Sequence, residues 1–150
     1  MRTYLAVIDE TQEAEIALRF AARRAAKTGG AVDILAVIEP AEFAPWGGVQ
    51  AAMEEEARLR AEAMVAQAAG ELVEELGLTP TLIVREGESV PTILALIRER
   101  PDIAALVLGA RADGGPGPLV THFAACAGAM RCPVMLVPGG LDDEALDRMS

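Results

Sequence analysis

Aromatic residues make up only 3% of the chain, although hydrophobic residues make up 52%. The core must therefore be built from Ala, Val, Leu and Ile, a composition that suits helices packed on a buried sheet. Side chains that do chemistry are also scarce. Lys27 is the only lysine, His122 the only histidine, and Ser89 and Ser150 are the only serines. Cys126 and Cys132 are the only cysteines and form no CxxC pair, so no zinc site of the usual spacing is present. Basic residues number 13 against 23 acidic ones, for a net charge of −10. Binding to a phosphate backbone needs clustered Lys and Arg, so this balance argues against a nucleic-acid partner. No apolar run reaches the roughly 18–20 residues of a membrane span. The start, "MRTYLAVIDE", is too short an apolar run for a signal peptide. These absences predict a soluble cytoplasmic protein without membrane or metal. A length of 150 residues fits a single domain with one core.

Five short apolar runs are separated by helical patterns. "TYLAVI" (Thr3–Ile8) reads as a buried strand. Thr11 can cap the next helix, with Glu13 favourable in its first turn. Ala14, Ala17, Leu18, Ala21 and Ala25 recur at helical spacing until Gly29-Gly30 ends the helix. "VDILAVI" (Val32–Ile38) is a second strand, followed by the Pro- and Gly-containing segment Glu39–Gly48, read as a loop. A long helix is expected over Val49–Leu76, with Glu54/Arg58 and Glu56/Arg60 as i,i+4 pairs on its outer side. "TLIVREG" (Thr81–Gly87) is the third strand. Ser89 is the expected N-cap of the next helix, with Pro91 tolerated in its first turn. "DIAALVLG" (Asp102–Gly109) is the fourth strand and "CPVMLVP" (Cys132–Pro138) the fifth. Between them Leu119, Phe123, Cys126, Ala127 and Met130 make a helical stripe. The domain is expected to span 1–138, with 139–150 a polar tail bearing at most a frayed turn. Alternating strands and helices predict an α/β fold with a parallel sheet covered on both faces. Pattern alone leaves the strand orders 2-1-3-4-5 and 3-2-1-4-5 both open.

Ligands of open α/β sheets bind at the carboxyl ends of strands, where the winding reverses. In the 3-2-1-4-5 order that point lies between strands 1 and 4. The loop after strand 1 is "DET" (Asp9–Thr11), and the loop after strand 4 is "ARADGGPGP" (Ala110–Pro118). Asp9 can accept hydrogen bonds from an amino group or a sugar hydroxyl, or can cap the following helix. Gly109, Gly114, Gly115 and Gly117 allow close backbone approach to a phosphate, with Arg111 the one cation of the loop. The same glycines also make a plain exposed turn, and Pro116 and Pro118 each remove an N–H that a phosphate cradle would use. Thr121 can offer its hydroxyl to a phosphate or stabilise the helix start. His122 reads as a surface residue, Cys126 as packing, and Glu54–Glu56 as a solvated helix face. Trp46 reads as local packing, or as a lid or partner contact. No GxxxxGK is present, so this is no P-loop.

Taken together, these segments resemble the universal stress protein family in its single-domain form. The likeness covers Thr3–Pro138. It rests on "YLAVIDET", "VDILAVIEP", "VREGESVPTILALI", "ALVLGARADGG" and the closing "RCPVMLVP". It implies a five-stranded parallel sheet of order 3-2-1-4-5 between helix layers, a Rossmann-like three-layer fold. Many members of the family bind ATP. They do so with a glycine ending strand 4, a second glycine shortly after, and a Gly-Ser/Thr pair at the next helix start. Gly109 matches the first glycine. The second falls on Ala112 and the pair on Val120-Thr121, so the hydroxyl is kept and two glycines are not. Asp9 matches the position that contacts adenosine, and Val37 a strand position whose backbone reads adenine. The resemblance also implies a homodimer through the last strand, Val134, Met135, Leu136 and Val137, which fits the need to cover an apolar edge.

The sequence thus predicts a dimeric stress-response protein that acts by binding rather than turnover, with a nucleotide loop too altered to hold ATP tightly and no certain cofactor. The alternative is a nucleotide-responsive module that places Asp9, Val37, Gly109, Arg111 and Thr121 around ATP or AMP, with magnesium. An ATP hydrolase is the weakest reading, because no base, nucleophile or metal cluster is placed for it.

Overall fold

In the computed structural model the chain is described over residues 1–40 and 47–150. The elements are β1 (Thr3–Val7), α1 (Gln12–Thr28), β2 (Ala31–Ile38), α2 (Gly47–Leu76), β3 (Thr81–Glu86), α3 (Ser89–Glu99), β4 (Ile103–Ala110), α4 (Pro118–Cys126), β5 (Val134–Pro138) and α5 (Asp143–Met149). A short 3-10 turn, Ala127–Ala129, follows α4. The strands form one parallel sheet in the order β3-β2-β1-β4-β5. Of the two orders left open by pattern, this selects the one whose winding reverses between β1 and β4.

Side chains of successive strand residues point to opposite faces, and the two faces are covered by different helices. Tyr4, Ala6, Ile34, Val107 and Val137 pack with α1, α2 and Leu146 of α5. Leu5, Val7, Leu35, Leu106 and Leu108 pack with Ile93, Leu96 and Ile97 of α3 and with Val120 and Phe123 of α4. On α1 the buried face is mostly alanine (Ala14, Ala17, Ala21, Ala22 and Ala25), which lets that helix lie close to the sheet. Phe123 fills the other face and is completely buried. Each such large side chain contributes about 1.5–3 kcal/mol on leaving water.

Several local expectations hold. Thr11 is the N-cap of α1, its hydroxyl accepting from the Ala14 amide at 3.3 Å, and Gly29 ends the helix at φ 66°. Others change because a distant group competes. Ser89 is not the cap of α3 but its first helical residue. Its hydroxyl donates to Glu39 Oε1 at 2.8 Å, across from the end of β2. Arg58 turns away from Glu54 to meet Glu86 of β3 at 2.8 Å, while Glu54 accepts from Gln50. The tail folds further than a frayed turn. Asp142 caps α5 by accepting from the Ala145 amide, and Leu146 is fully buried. Asp143 and Asp147 of α5 pair with Arg19 and Arg23 of α1, and Lys27 donates to the Asp147 carbonyl. Helix α2 begins at Gly47, two residues before the expected start. Trp46 lies outside the described residues.

The amino ends of the strands hold a polar cluster. Asp33 of β2 is 1% exposed, and the Arg100 guanidinium sits 3.0 Å from its Oδ2, but without the alignment of a hydrogen bond. Burial raises the Asp33 carboxyl above the usual carboxylate range, more strongly than Arg100 lowers it. Asp102 goes the other way, held low by hydrogen bonds from Thr3 and Arg100. Arg131 adds a clamp by donating to the carbonyls of Ile97 and Arg100 at the end of α3.

Candidate functional site

Among the clefts at the carboxyl ends of the strands, two that share Asp9 as a wall take in residues singled out by sequence. The first, about 260 Å³, is lined by Asp9, Glu10, Val37, Glu39, Arg60 and Met64, among others. The second is a crevice of about 150 Å³ between β1 and β4, lined by Asp9, Glu13, Gly109, Arg111, Pro116 and Gly117, among others. Asp9 is placed by the sharp exit from β1. Its Oδ1 accepts from the Thr11 amide at 2.8 Å and from the Thr11 hydroxyl, which in turn caps α1. Asp9 therefore orders the start of α1 through Thr11 and also lines both clefts.

The fold thus brings Asp9 together with Val37 on one side, and with Gly109 and Arg111 on the other. It does not bring in Thr121. That hydroxyl donates to the Gly117 carbonyl at 2.9 Å, the bond of a helix-start threonine, and Thr121 is absent from the lining of the crevice. His122 is exposed, with its ring edge-on to Phe123 at 5.2 Å. Cys132 is buried and its thiol is pushed up by desolvation, which disfavours the thiolate a nucleophile needs. Among the described residues no three His, Cys, Asp or Glu side chains gather to hold a metal.

The phosphate side departs from a cradle in three ways. First, Gly109 makes room for α1 rather than for a ligand. A Cβ there would lie 1.9 Å from the Glu13 carbonyl oxygen. Second, the crevice has one cation and two carboxylates. Arg111 Nε already lies 3.5 Å from Glu13 Oε1, and Glu13 is only 19% exposed. Third, donors are few. Pro118 opens α4 without an N–H, and the loop closes on itself through Arg111 N to the Pro116 carbonyl at 3.3 Å. Gly117 takes φ 97° ahead of α4, a conformation that favours glycine for a turn whether or not a phosphate is near.

Sequence reasoning missed Glu13 as a crevice residue. Its helix-start position explained it fully, and only the strand order puts the first turn of α1 over the end of β4. Glu39, Arg60 and Met64 were also missed. They come from β2's exit and from α2, whose facing side carries no motif.

A parallel five-stranded sheet of this order, with clefts at the carboxyl ends of β1, β2 and β4, defines a Rossmann-like α/β protein. Within that class, the chain belongs to the universal stress protein family, whose family model matches residues 1–138. Comparison with the curated proteins finds no match. Among solved structures, the chain is similar to the universal stress protein UspA from Lactobacillus plantarum. The identity is 17%, with 91% of this chain and 97% of that one covered and a TM-score of 0.77. It is also similar to a universal stress protein from Archaeoglobus fulgidus in complex with dAMP, at 20% identity, 91% and 97% coverage and a TM-score of 0.56. A third is a family protein from Arabidopsis thaliana with AMP bound, at 14% identity, 92% coverage of both chains and a TM-score of 0.59.

Proposed function

We propose that this chain acts by binding rather than turnover, and that its site takes the adenosine part of a nucleotide with a short phosphate, not the tail of ATP. The carrying observation is the asymmetry of the two clefts. The Asp9–Val37 cleft, at about 260 Å³, is open and lies near the lower bound of small-molecule sites, roughly 300 Å³. The crevice beside it is smaller, at about 150 Å³, and both clefts hold more carboxylates than arginines, so size is what separates them. A triphosphate there would meet its own sign of charge and few donors. Relatives of the same fold in complex with AMP or dAMP support a monophosphate ligand. Calorimetric titration with adenosine, AMP and ATP plus magnesium tests this. Heat is expected with AMP or adenosine, and weaker or no heat with ATP. Binding of ATP tighter than AMP would overturn the reading and favour the ATP-responsive alternative.

The second element of the proposal is a homodimer through β5. This is an edge strand whose Leu136 is 45% exposed, beside an apolar groove lined by Phe20, Met135, Leu141 and Met149. An uncovered apolar edge invites a second strand. Light scattering should find a dimer for the native chain and a monomer for Leu136→Asp. A native monomer at micromolar concentration would dismiss it.

A further inference from the structure

We propose that Glu13 is the residue that makes the β1/β4 crevice reject polyphosphates. The inference rests on the two-cleft reading above and assigns the rejection to one side chain. Three observations converge on Glu13. Its backbone and Cβ are locked in place from two directions. A Cβ on Gly109 would strike its carbonyl at 1.9 Å, and one on Gly139 would lie 2.8 Å from its own Cβ. The first turn of α1 is therefore seated on the ends of β4 and β5, which fixes the point from which the side chain reaches into the crevice. Glu13 Oε1 faces Arg111 Nε at 3.5 Å, so the crevice's only cation is already engaged from inside the molecule. And Glu13 is the more buried partner, 19% exposed against 47% for Arg111, so water screens it less.

A phosphate entering the crevice must separate this pair or sit beside an unneutralised carboxylate, with Asp9 on the same wall. Both routes disfavour an anion, and more so with each added phosphate charge. Glu13 acts as a built-in anionic competitor for Arg111. A nucleoside or a monophosphate lying in the Asp9–Val37 cleft does not have to displace it.

The test is Glu13→Gln, titrated with inorganic tripolyphosphate as a probe that needs no adenosine cleft. Neutralising one of two carboxylates beside a partly exposed arginine should tighten tripolyphosphate binding several-fold, up to about fivefold. The gain should vanish in Glu13→Gln/Arg111→Gln, because the freed guanidinium supplies it. Glu13→Ala, a good helix former, repeats the measurement should the glutamine amide itself occupy Arg111. Melting curves confirm that each variant folds. Tripolyphosphate binding that is unchanged in both single variants, or already tight in the native chain, overturns the assignment. Adenosine and AMP titrated into the native chain decide the two-cleft reading separately. If neither binds, that reading falls while the tripolyphosphate comparison still judges Glu13.

Discussion

Gly109→Ala puts a methyl group where two pieces of backbone already meet. Its Cβ would lie 1.9 Å from the Glu13 carbonyl oxygen and 2.4 Å from the carbonyl carbon. Ordinary contact begins near 3.4 Å, so the first turn of α1 would have to retreat by about 1.5 Å. Helix α1 cannot tilt freely, because it buries Ala14, Ile16, Ala17, Leu18, Ala21, Ala22 and Ala25. Overpacking that side chains can absorb costs about 1–3 kcal/mol. Here the obstacle is main chain on both sides, so a loss of about 3 kcal/mol or more is expected. In a domain of this size each kcal/mol moves the melting temperature by about 2–4 °C, which gives a fall of roughly 6–12 °C. Gly114→Ala is the control. It sits in open space at φ +77°, so only the left-handed backbone is penalised, by about 1–2 kcal/mol. Urea unfolding and calorimetric melting of both variants measure the difference. If Gly109→Ala loses no more than Gly114→Ala, the close packing of α1 on β4 is not what requires a glycine there. A nucleotide-binding defect in Gly109→Ala would likewise report a displaced helix before it reported a lost phosphate contact.

Asp33→Asn tests the buried carboxylate. Desolvation raises its folded pKa above the unfolded value, so its favourable contribution is present at acid pH and is lost as pH rises through the folded value. The stability of Asp33→Asn relative to the native chain should therefore improve from pH 4 to pH 7, by urea titration at each pH. A relative stability that falls over that range would mean the Arg100 pairing outweighs burial. Leu146→Ala removes the one fully buried large side chain of α5, and should lower stability by about 2 kcal/mol or more in the same assay. A loss below about 0.5 kcal/mol, the range of an ordinary surface substitution, would show that α5 is not held by that contact.

Elements with strong local signals were legible. Thr11, Gly29 and the alanine stripe of α1 are decided by residues within a few positions of one another. Ser89 was not, because the carboxylate that takes its hydroxyl is fifty positions away in sequence. Helix α5 was hidden for a different reason. A seven-residue helix has too few turns to show a period and too few bonds to stand alone. It is held by Leu146, buried in the core, by the Asp142 cap, and by Arg19, Arg23 and Lys27 of α1 as polar partners. At the site, Asp9, Val37, Gly109 and Arg111 were located by likeness and by the switch-point rule, and the fold does bring them to the adjoining clefts. Thr121 was placed by alignment of a loop whose path cannot be read from spacing. Glu13 carried no site signal at all, since an acidic residue in a first helical turn is sufficiently explained by the helix dipole.

The segment Arg111–Pro116 is exposed at every position, and the first deeply buried side chain after it is Val120. Nothing in the core leans on it. Evolution can therefore rewrite those six residues, lengthening the loop, adding donors or discarding them, while the sheet and its helices stay as they are. One scaffold can in this way be inherited by lineages that hold different ligands or none. Heredity of the fold and heredity of the ligand become separate traits, and the second can be lost or regained by changes at the rim of a sheet that never unfolds.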